Sequence, residues 1–254
     1  MVASPGWAGT LSISSRTSLT VLADRIQVDV VAENRGSEPA NRVQAHLYIF
    51  ERRYSADAVD QLDVGRSRAF RFAVPLTPDL KGEFVFVGEI RYHDANYRPI
   101  AALSAETFKL GAAGDGLLSG SAPELTLTGN ERLSVQIRSR DPESRDVFAA
   151  LYLPPDLTTP QPQKRIRLKA FETADVDFPL AVRHRSGDAT YPVLCALTYH
   201  DAGGVHSAVV RTVVHVKDFQ NWFVVNRWYW LAAGGLIVLG WMGAGIADGG
   251  LRKK

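Results

Sequence analysis

Histidine and acidic side chains with metal-binding chemistry cluster in one short stretch of this 254-residue chain. His200, Asp201 and His206 lie within seven residues and could meet across a hairpin. Imidazole nitrogens and a carboxylate oxygen are suitable ligands for zinc or a similar ion. Residues 199–202 read YHDA. The same four residues occur at 92–95, but there Pro99 stands at the position that corresponds to His206. We therefore favour a structural hairpin over a metal site, and we expect no cofactor.

Nucleophilic catalysis has little support in the sequence. The chain contains no G-x-S-x-G, no G-x-x-x-x-G-K-[ST] and no H-E-x-x-H motif. Its lone cysteine, Cys195, stands between Val193 and Leu197, at a spacing that predicts a buried core position and not a reactive thiolate. Because no acid, base and nucleophile converge, we expect that the chain is not an enzyme.

Length and charge limit the architecture and the partners. The chain exceeds the usual size of one all-β domain, which favours two domains of about 100 residues plus a remainder. Lys and Arg (29) nearly balance Asp and Glu (27), so we expect no nucleic-acid partner. A single cysteine excludes an internal disulfide.

The two halves of the chain repeat one pattern at an offset of 107 residues. Apolar and polar residues alternate with a period of two in each block, which is typical of half-buried strands, and turn residues separate the blocks. The aligned apolar positions are Phe84, Phe86, Ile90 and Tyr92 with Tyr191, Val193, Leu197 and Tyr199, and Ile26, Val28 and Val30 with Leu133, Val135 and Ile137.

The repeat predicts an all-β fold of two tandem immunoglobulin-like β-sandwiches, followed by one C-terminal transmembrane α-helix. We place the first sandwich at 1–110, a flexible linker at 111–122 and the second sandwich at 123–218.

The repeated YHDA string fits a hairpin device. Alternation points Tyr92 into the core and His93 outward, and it leaves Asp94 to cap the turn through backbone hydrogen bonds. The same pattern holds for residues 199–201. We expect Asn96 and its counterpart Gly203 to adopt positive φ, because Asn and Gly do so most readily.

The first half resembles the cell-adhesion-related bacterial and archaeal domains (CARDB-like) and their immunoglobulin-like relatives. The likeness lies in VDVVAENRGSEPANRVQAHLYIF, LDVGRSRAFRFAV and GEFVFVGEIRYHDANYRPIAAL. It covers 11–110 closely and 123–217 less closely, since RSRDPESRDV lacks the Asn-x-Gly turn and LKAFETADVDF lacks a glycine. The resemblance implies a fold and an extracytoplasmic setting, and it implies no activity or catalytic residues.

Basic and aromatic residues in two places are candidates for contacts with a partner. The run KRIRLKA presents Lys164, Arg165 and Arg167, which could dock an anionic partner or lipid headgroups. Charges on an edge strand also prevent aggregation, and we favour this protective role. Tyr97 and Arg98 in the first hairpin complete the set.

The C-terminal region carries a membrane signal. Residues 228–247 read WYWLAAGGLIVLGWMGAGIA, twenty residues without a charge, which span about 30 Å of hydrocarbon as a helix. We predict a transmembrane helix at 222–248 and a basic cytoplasmic tail at 249–254. Interfacial rings, small residues suited to helix packing and basic residues define the membrane site. They are Trp222, Trp228, Tyr229, Trp230, Gly240, Ala244, Gly245, Gly249, Arg252, Lys253 and Lys254.

The basic C-terminal residues favour a cytoplasmic tail, with the preceding domains outside. The start, MVASPGWAGT, shows no signal segment. Either a signal peptide is removed or left out, or the protein is tail-anchored with a cytoplasmic head, and we favour the first reading. The expected location is the inner membrane, as a single-pass protein with its N-terminal domains in the periplasm or outside the cell.

These patterns predict a non-enzymatic, membrane-anchored extracytoplasmic scaffold, or an accessory structural subunit of a multi-subunit membrane complex. Its expected partners are integral membrane proteins and the lipid bilayer. The alternative is an envelope or surface binding module that recognises a glycan or cell-wall polymer. Solvent-facing aromatic residues on one loop end would favour that alternative.

Overall fold

The computed structural model describes residues 12–77, 80–111, 117–183 and 188–217, all of which belong to one compact unit, 1–217. Every helix or strand among these residues is a β-strand, which confirms the predicted all-β class. Within these ranges, no helix has the length and apolarity needed to cross a membrane. The predicted transmembrane helix at 222–248, with its aromatic, glycine and basic residues, and the tail at 249–254 lie outside the described residues.

The first half of the chain forms eight strands with short connections. They are β1 (Ile13–Val21), β2 (Arg25–Asn34), β3 (Ala40–Ile49), β4 (Arg52–Ser55), β5 (Val59–Leu62), β6 (Ser67–Pro75), β7 (Gly82–His93) and β8 (Pro99–Leu110).

The second half forms nine strands. They are β9 (Leu118–Ser121), β10 (Leu125–Leu127), β11 (Asn130–Ser139), β12 (Arg145–Tyr152), β13 (Leu157–Thr158), β14 (Gln163–Leu168), β15 (Thr173–Val182), β16 (Ala189–Asp201) and β17 (Gly204–Val216).

Two sheets enclose the core of the first half. The antiparallel sheet β1-β2-β6 packs against a sheet that contains β3, β4, β5, β7 and β8. The predicted alternation is confirmed on β2, where Ile26, Val28 and Val30 are fully buried. Phe72 from β6 and Phe86 from β7 belong to the same core. Burial of these apolar side chains between two sheets is the main stabilising contribution to this half.

The second half repeats this two-layer arrangement. Its sheet β13-β15-β11-β9 packs against β14, β12, β16 and β17 around a separate core. The segment predicted as a linker contributes β9, which pairs with β11. Leu118 is buried, and Gly120 has no side chain to collide with Val210 and Leu197, so the backbone of β9 lies directly on the core.

The two halves share one ten-stranded sheet. Its principal order is β14-β12-β16-β17-β7-β3-β4, and β17 joins β7 in parallel at Val205 and Gly82. Strands β7 and β16 occupy corresponding positions in the repeat but run in opposite directions, since β16 is antiparallel to β17. The first hairpin therefore meets the second half at one end of the junction, and the second hairpin meets the first half at the other end.

Both repeated hairpins have the predicted aspartate cap. In the first tip, residues 94–98, the Asp94 Oδ1 atom accepts hydrogen bonds from the N–H groups of Asn96 and Arg98, both at 2.8 Å. In the second tip, residues 201–205, Asp201 Oδ1 accepts hydrogen bonds from the N–H groups of residues 203 and 204, at 2.7 and 3.0 Å.

The predicted position of positive φ is wrong by one residue in both tips. Positive φ occurs at Tyr97 (58°) and Gly204 (137°), and not at Asn96 and Gly203. The physical reason is the aspartate cap. The aspartate side chain accepts a hydrogen bond from the N–H of the second residue after it. Positive φ therefore falls on the third residue.

Candidate binding groove between the two halves

The second tip joins the halves through close backbone contact. The Val205 N–H donates a hydrogen bond to the Lys81 carbonyl at 3.0 Å. A Cβ atom on Gly82 would overlap the Val205 carbonyl, and one on Gly204 would overlap the Lys81 carbonyl. Two glycines with positive φ therefore permit the approach on which the shared sheet depends.

The first tip joins the halves through a charged contact. Arg98 lies 3.0 Å from the Asp156 carboxylate and donates to the Tyr191 hydroxyl at 3.3 Å. Asp156 is only 1% exposed, so the arginine neutralises a buried charge of the other half. Arg98 corresponds to Val205 in the repeat, so corresponding residues form reciprocal contacts at the two ends of the junction.

An apolar cluster fills the junction between the two tips. Val87, Ala105 and Leu194 are buried there. The rings of Tyr48 and Tyr152, one from each half, meet edge to face with their centroids 5.2 Å apart. Desolvated apolar surface and the ring contact stabilise the junction.

Tyr48 and Tyr152 both line two cavities between the halves. The smaller has a volume of about 310 Å³ and includes Glu89 and Arg91. The larger, which we call the inter-half groove, has a volume of about 750 Å³. One wall of the groove is formed by residues 48–53, and its floor by outward-facing residues of β12, β16 and β17. These volumes lie within the range of pockets that bind ligands.

The wall of the groove contains a strained turn. Phe50 and Glu51 connect β3 to β4 with φ angles of 52° and 59°. Hairpin turns of this kind usually use Asn-Gly, so two ordinary residues require support from packing. The Phe50 ring supplies it by contacting Phe84 edge to face at 5.0 Å. The turn holds Arg52 and Arg53 at the groove.

A buried carboxylate lies under the tyrosine pair. Glu89 is 3% exposed, accepts a hydrogen bond from the Tyr48 hydroxyl at 2.8 Å and accepts another from Arg91 Nε at 2.7 Å. Burial and the contact with Glu89 raise the pKa of Tyr48 to about 12. The phenol is therefore a hydrogen-bond donor at neutral pH and not a nucleophile.

A serine and a histidine also meet beside the groove. The Ser55 Oγ atom lies 2.9 Å from His46 Nδ1, and Arg53 lies 3.1 Å from His46 Nε2. Burial and the neighbouring Arg53 charge lower the pKa of His46 to about 4. An imidazole with this pKa is a weak base, and a cation occupies the side where a catalytic pair would place a carboxylate.

Two of the three candidate metal ligands meet, and the third lies on another face of the sheet. His206 is buried, stacks on Tyr199 with ring centroids 4.7 Å apart, and places Nε2 3.1 Å from Asp201 Oδ2. His200 pairs with Val205, next to the Tyr199–His206 pair. It therefore lies on the face of the hairpin opposite to His206, where it lines the groove. No group of three potential metal ligands occurs among the described residues.

The candidate partner residues divide between several environments. Tyr97 is 69% exposed on the first tip, whereas Arg98 contacts the second half. On β14, Arg165 lies 5.0 Å from the Phe148 ring, which is part of the groove. Lys164 instead faces the second core, where it lies 5.5 Å from the Phe178 ring.

His46, Tyr48, Arg53 and Glu89 were not among the predicted site residues. Alternation places His46 and Tyr48 on the outward face of β3, and such positions are expected to be solvated. The signal that could have identified them is the density of large polar residues at outward positions of VQAHLYIF and FVFVGEIRYH. Tyr48 and Glu89 share a cavity with residues of the second half, whereas His46 contacts Ser55 and Arg53 of the first half.

Comparisons with known proteins do not assign a family. No family model and no curated protein matches the chain. Among solved structures, the native conformation of E. coli alpha-2-macroglobulin matches 82% of this chain and 17% of that chain, at 10% identity and a TM-score of 0.34. Red sea bream transglutaminase matches 83% and 31% of the two chains, at 12% identity and a TM-score of 0.30.

A protein of unknown function from Porphyromonas gingivalis matches 80% of this chain and 98% of that chain, at 13% identity and a TM-score of 0.30. This chain thus spans less than a fifth of the E. coli protein and about a third of the transglutaminase. Similarities at these scores carry no assignment of activity.

Proposed function

We propose that this chain is a non-enzymatic, membrane-anchored accessory subunit that holds partner proteins in position outside the inner membrane. It would consist of two tandem immunoglobulin-like, CARDB-like sandwiches, with residues 222–248 as the anchor. The observation that carries the proposal is the junction of the halves into one sheet, with a groove whose two sides come from different halves. A rigid head with a preformed groove is suited to holding partner proteins in fixed positions.

The pKa values of three potential catalytic groups, in the core and near the groove, support binding in preference to catalysis. Burial raises the pKa of the Cys195 thiol to about 12, so this cysteine stays protonated. The pKa of Tyr48 lies near 12 and that of His46 near 4, both far from neutrality. General acid–base catalysis near neutral pH favours groups with pKa values close to 7.

The distribution of exposed aromatic rings supports a scaffold over a glycan-binding module. Tyr97 and Phe171 are 69% and 68% exposed, and Phe148, which lines the groove, is 44% exposed. The Phe171 N–H donates to Asp141, which Arg145 links to Asp201, so Phe171 belongs to the end of the second tip. The two tips lie at opposite ends of the junction, whereas a glycan platform needs its rings on one end.

The test is gentle detergent extraction of the full-length chain, followed by mass analysis of the native particle. We expect the chain to be recovered in a complex with integral membrane proteins. Recovery as a lone monomer would contradict the proposal. Retention of the full-length chain on immobilised cell-wall polymer, without co-purified proteins, would instead favour the glycan-binding alternative.

A further inference from the structure

Cationic side chains flank the inter-half groove on two sides. Arg52 and Arg53 are exposed on the wall that the first half contributes. On the other side, Arg165 and Arg167 of β14 pair with Phe148 and Asp146 of β12. Directly opposed residues of an antiparallel pair share one face, so both arginines lie on the face that carries Phe148.

Acidic side chains only partly balance these cations. Glu51 lies in the wall of the groove, and Asp146 lies 2.9 Å from Arg165. Two arginines that line the groove and two on β14 beside Phe148 thus compare with two carboxylates. Arg52 and Arg167 form no ion pair with any of the residues that the structure describes. The groove is therefore electropositive in a chain whose total charge is nearly balanced.

The floor between the two cationic sides is elongated and combines apolar residues with the polar residues Thr198, His200 and Ser207. Phe148 is 44% exposed, and Ala150 and Ala196 lie beside it with small side chains. A row of paired residues crosses the floor from Arg165 through Phe148 to β17. Three strand spacings make this row about 14 Å long. A floor of this length accommodates an extended segment better than a compact anion.

We propose that the inter-half groove binds an extended acidic segment of a partner protein. Carboxylates of the segment pair with Arg52 and Arg53 on one side and with Arg165 on the other, and an apolar side chain between them rests on Phe148. This inference rests on the proposed function and adds the chemistry of the partner. Because the arginines are exposed, binding weakens as salt increases.

The test uses the full-length chain in detergent and a fluorescein-labelled synthetic peptide of alternating Glu and Leu. A matched peptide carries Lys in place of every Glu. Fluorescence anisotropy is expected to report binding of the acidic peptide alone, with lower affinity at higher salt. Equal binding of the two peptides, or no binding of the acidic one, would overturn the inference.

Variants locate the binding. The double variant Arg52→Glu, Arg165→Glu is expected to weaken binding by at least roughly tenfold, because two charge-assisted contacts become repulsive. Arg71→Glu is the control, since this arginine is 79% exposed on the outward side of β6, in the other sheet. Equal losses in both variants would contradict a groove site. The milder pair Arg52→Gln, Arg165→Gln gives the same test if charge reversal disturbs folding.

Two further outcomes separate this inference from its foundation. Release of the peptide by phosphatidylglycerol vesicles would identify the groove as a lipid-headgroup site and overturn the peptide assignment. Co-purification of integral partners with the Arg52→Glu, Arg165→Glu variant at the wild-type level would sink the inference while the proposed function stands. Recovery of the wild type as a monomer would sink the proposed function, whatever the peptide binds.

Discussion

His46 shows how one residue acquires properties that its position along a strand does not suggest. It stands at an outward position of β3, yet only 2% of it is exposed. Ser55 and Arg53 occupy its two ring nitrogens, and the neighbouring positive charge disfavours protonation. The neutral imidazole therefore fits the folded state, and the imidazolium does not.

The pH dependence of stability should reveal this histidine. Its pKa falls from 6.5 to about 4 on folding, so below 6.5 the unfolded chain binds a proton that the folded chain does not. Its contribution is complete above pH 6.5 and is lost as the pH falls toward 4. We expect the free energy of unfolding of the full-length chain to fall by on the order of 1–2 kcal/mol between about pH 7 and pH 5.

Urea titrations of the wild type and of His46→Gln at both pH values measure this effect. The variant should lose most of the difference between the two pH values, because glutamine does not titrate. His200→Gln is the matched control, since it makes the same change of side chain at an exposed position of the second half. A wild-type slope that persists in His46→Gln would assign the effect to other groups.

Phe171 adopts a left-handed backbone conformation that glycine usually occupies. Its φ is 54°, and its N–H donates to the Asp141 carbonyl at 3.1 Å. The corresponding contact in the first half joins Gly65, with φ of 72°, to Asn34. The second half therefore keeps the turn although its sequence lacks the glycine. Side-chain preference is too weak a signal to indicate this, because surrounding contacts can hold a strained residue in place.

At the scale of elements, the repeated hairpin is the device that joins the halves. The aspartate caps shape both tips in the same way, but the residues that follow differ in the contact they form. Position 98 supplies an arginine for a buried carboxylate, and position 205 supplies a backbone N–H for a carbonyl. A duplicated element has thus acquired two complementary roles.

Gly204→Ala should disrupt the second tip. Alanine rarely adopts a φ of 137°, and its Cβ would overlap the Lys81 carbonyl. We expect a loss of about 2–4 kcal/mol in the free energy of unfolding, measured by urea denaturation of the full-length chain in detergent.

Gly129→Ala is the matched control for this substitution. A Cβ on Gly129 has no heavy atom within 4 Å, so alanine should change stability by less than about 0.5 kcal/mol. If the two variants were equally stable, the close approach of the halves at Gly204 would be refuted.

At the scale of the whole molecule, stability of one half depends on the other. The halves have separate cores, but they also share a sheet, a buried apolar cluster and a charge pair. Loss of the junction would expose the cluster around Leu194 and leave Asp156 without its arginine. Exposing the apolar cluster and leaving the carboxylate unpaired both cost free energy. The described residues should therefore unfold cooperatively.

Arg98→Ala tests this dependence. The substitution leaves the Asp156 carboxylate buried and without its cation, and we expect a loss of about 2–4 kcal/mol. The measurement is the urea midpoint of the full-length chain at neutral pH. A cost as small as that of a surface ion pair would show that the charged contact does not hold the halves together.

Arg35→Ala is the corresponding control at a surface ion pair. Arg35 lies 2.8 Å from Glu33, and both side chains are largely exposed, at 57% and 39%. Such pairs contribute about 0–1 kcal/mol, so this variant should remain close to the wild type.

Local patterns along the chain were enough to determine the strands, the buried faces of β2 and β6, the core position of Cys195 and the aspartate caps. Each of these depends on residues that are neighbours in the sequence, through alternation or through a side chain that bonds its own turn. The contacts between the halves were not predictable in this way. The separation of His200 and His206 was not predictable either, since it depends on the β16–β17 register, which places the two side chains on opposite faces.

Only the tertiary structure decided that the halves form one sheet, that Arg98 meets Asp156, and that His46 and Glu89 are buried beside a groove. Alternation identifies which side chains leave a strand on its outward face, but it carries no information about what covers that face. For Glu89 and Asp156 the neighbours that cover the face come from the other half, and Arg98 meets Asp156 from 58 positions away in the chain. Hence burial and charge at the groove arise from packing between the halves and not from the sequence of either strand.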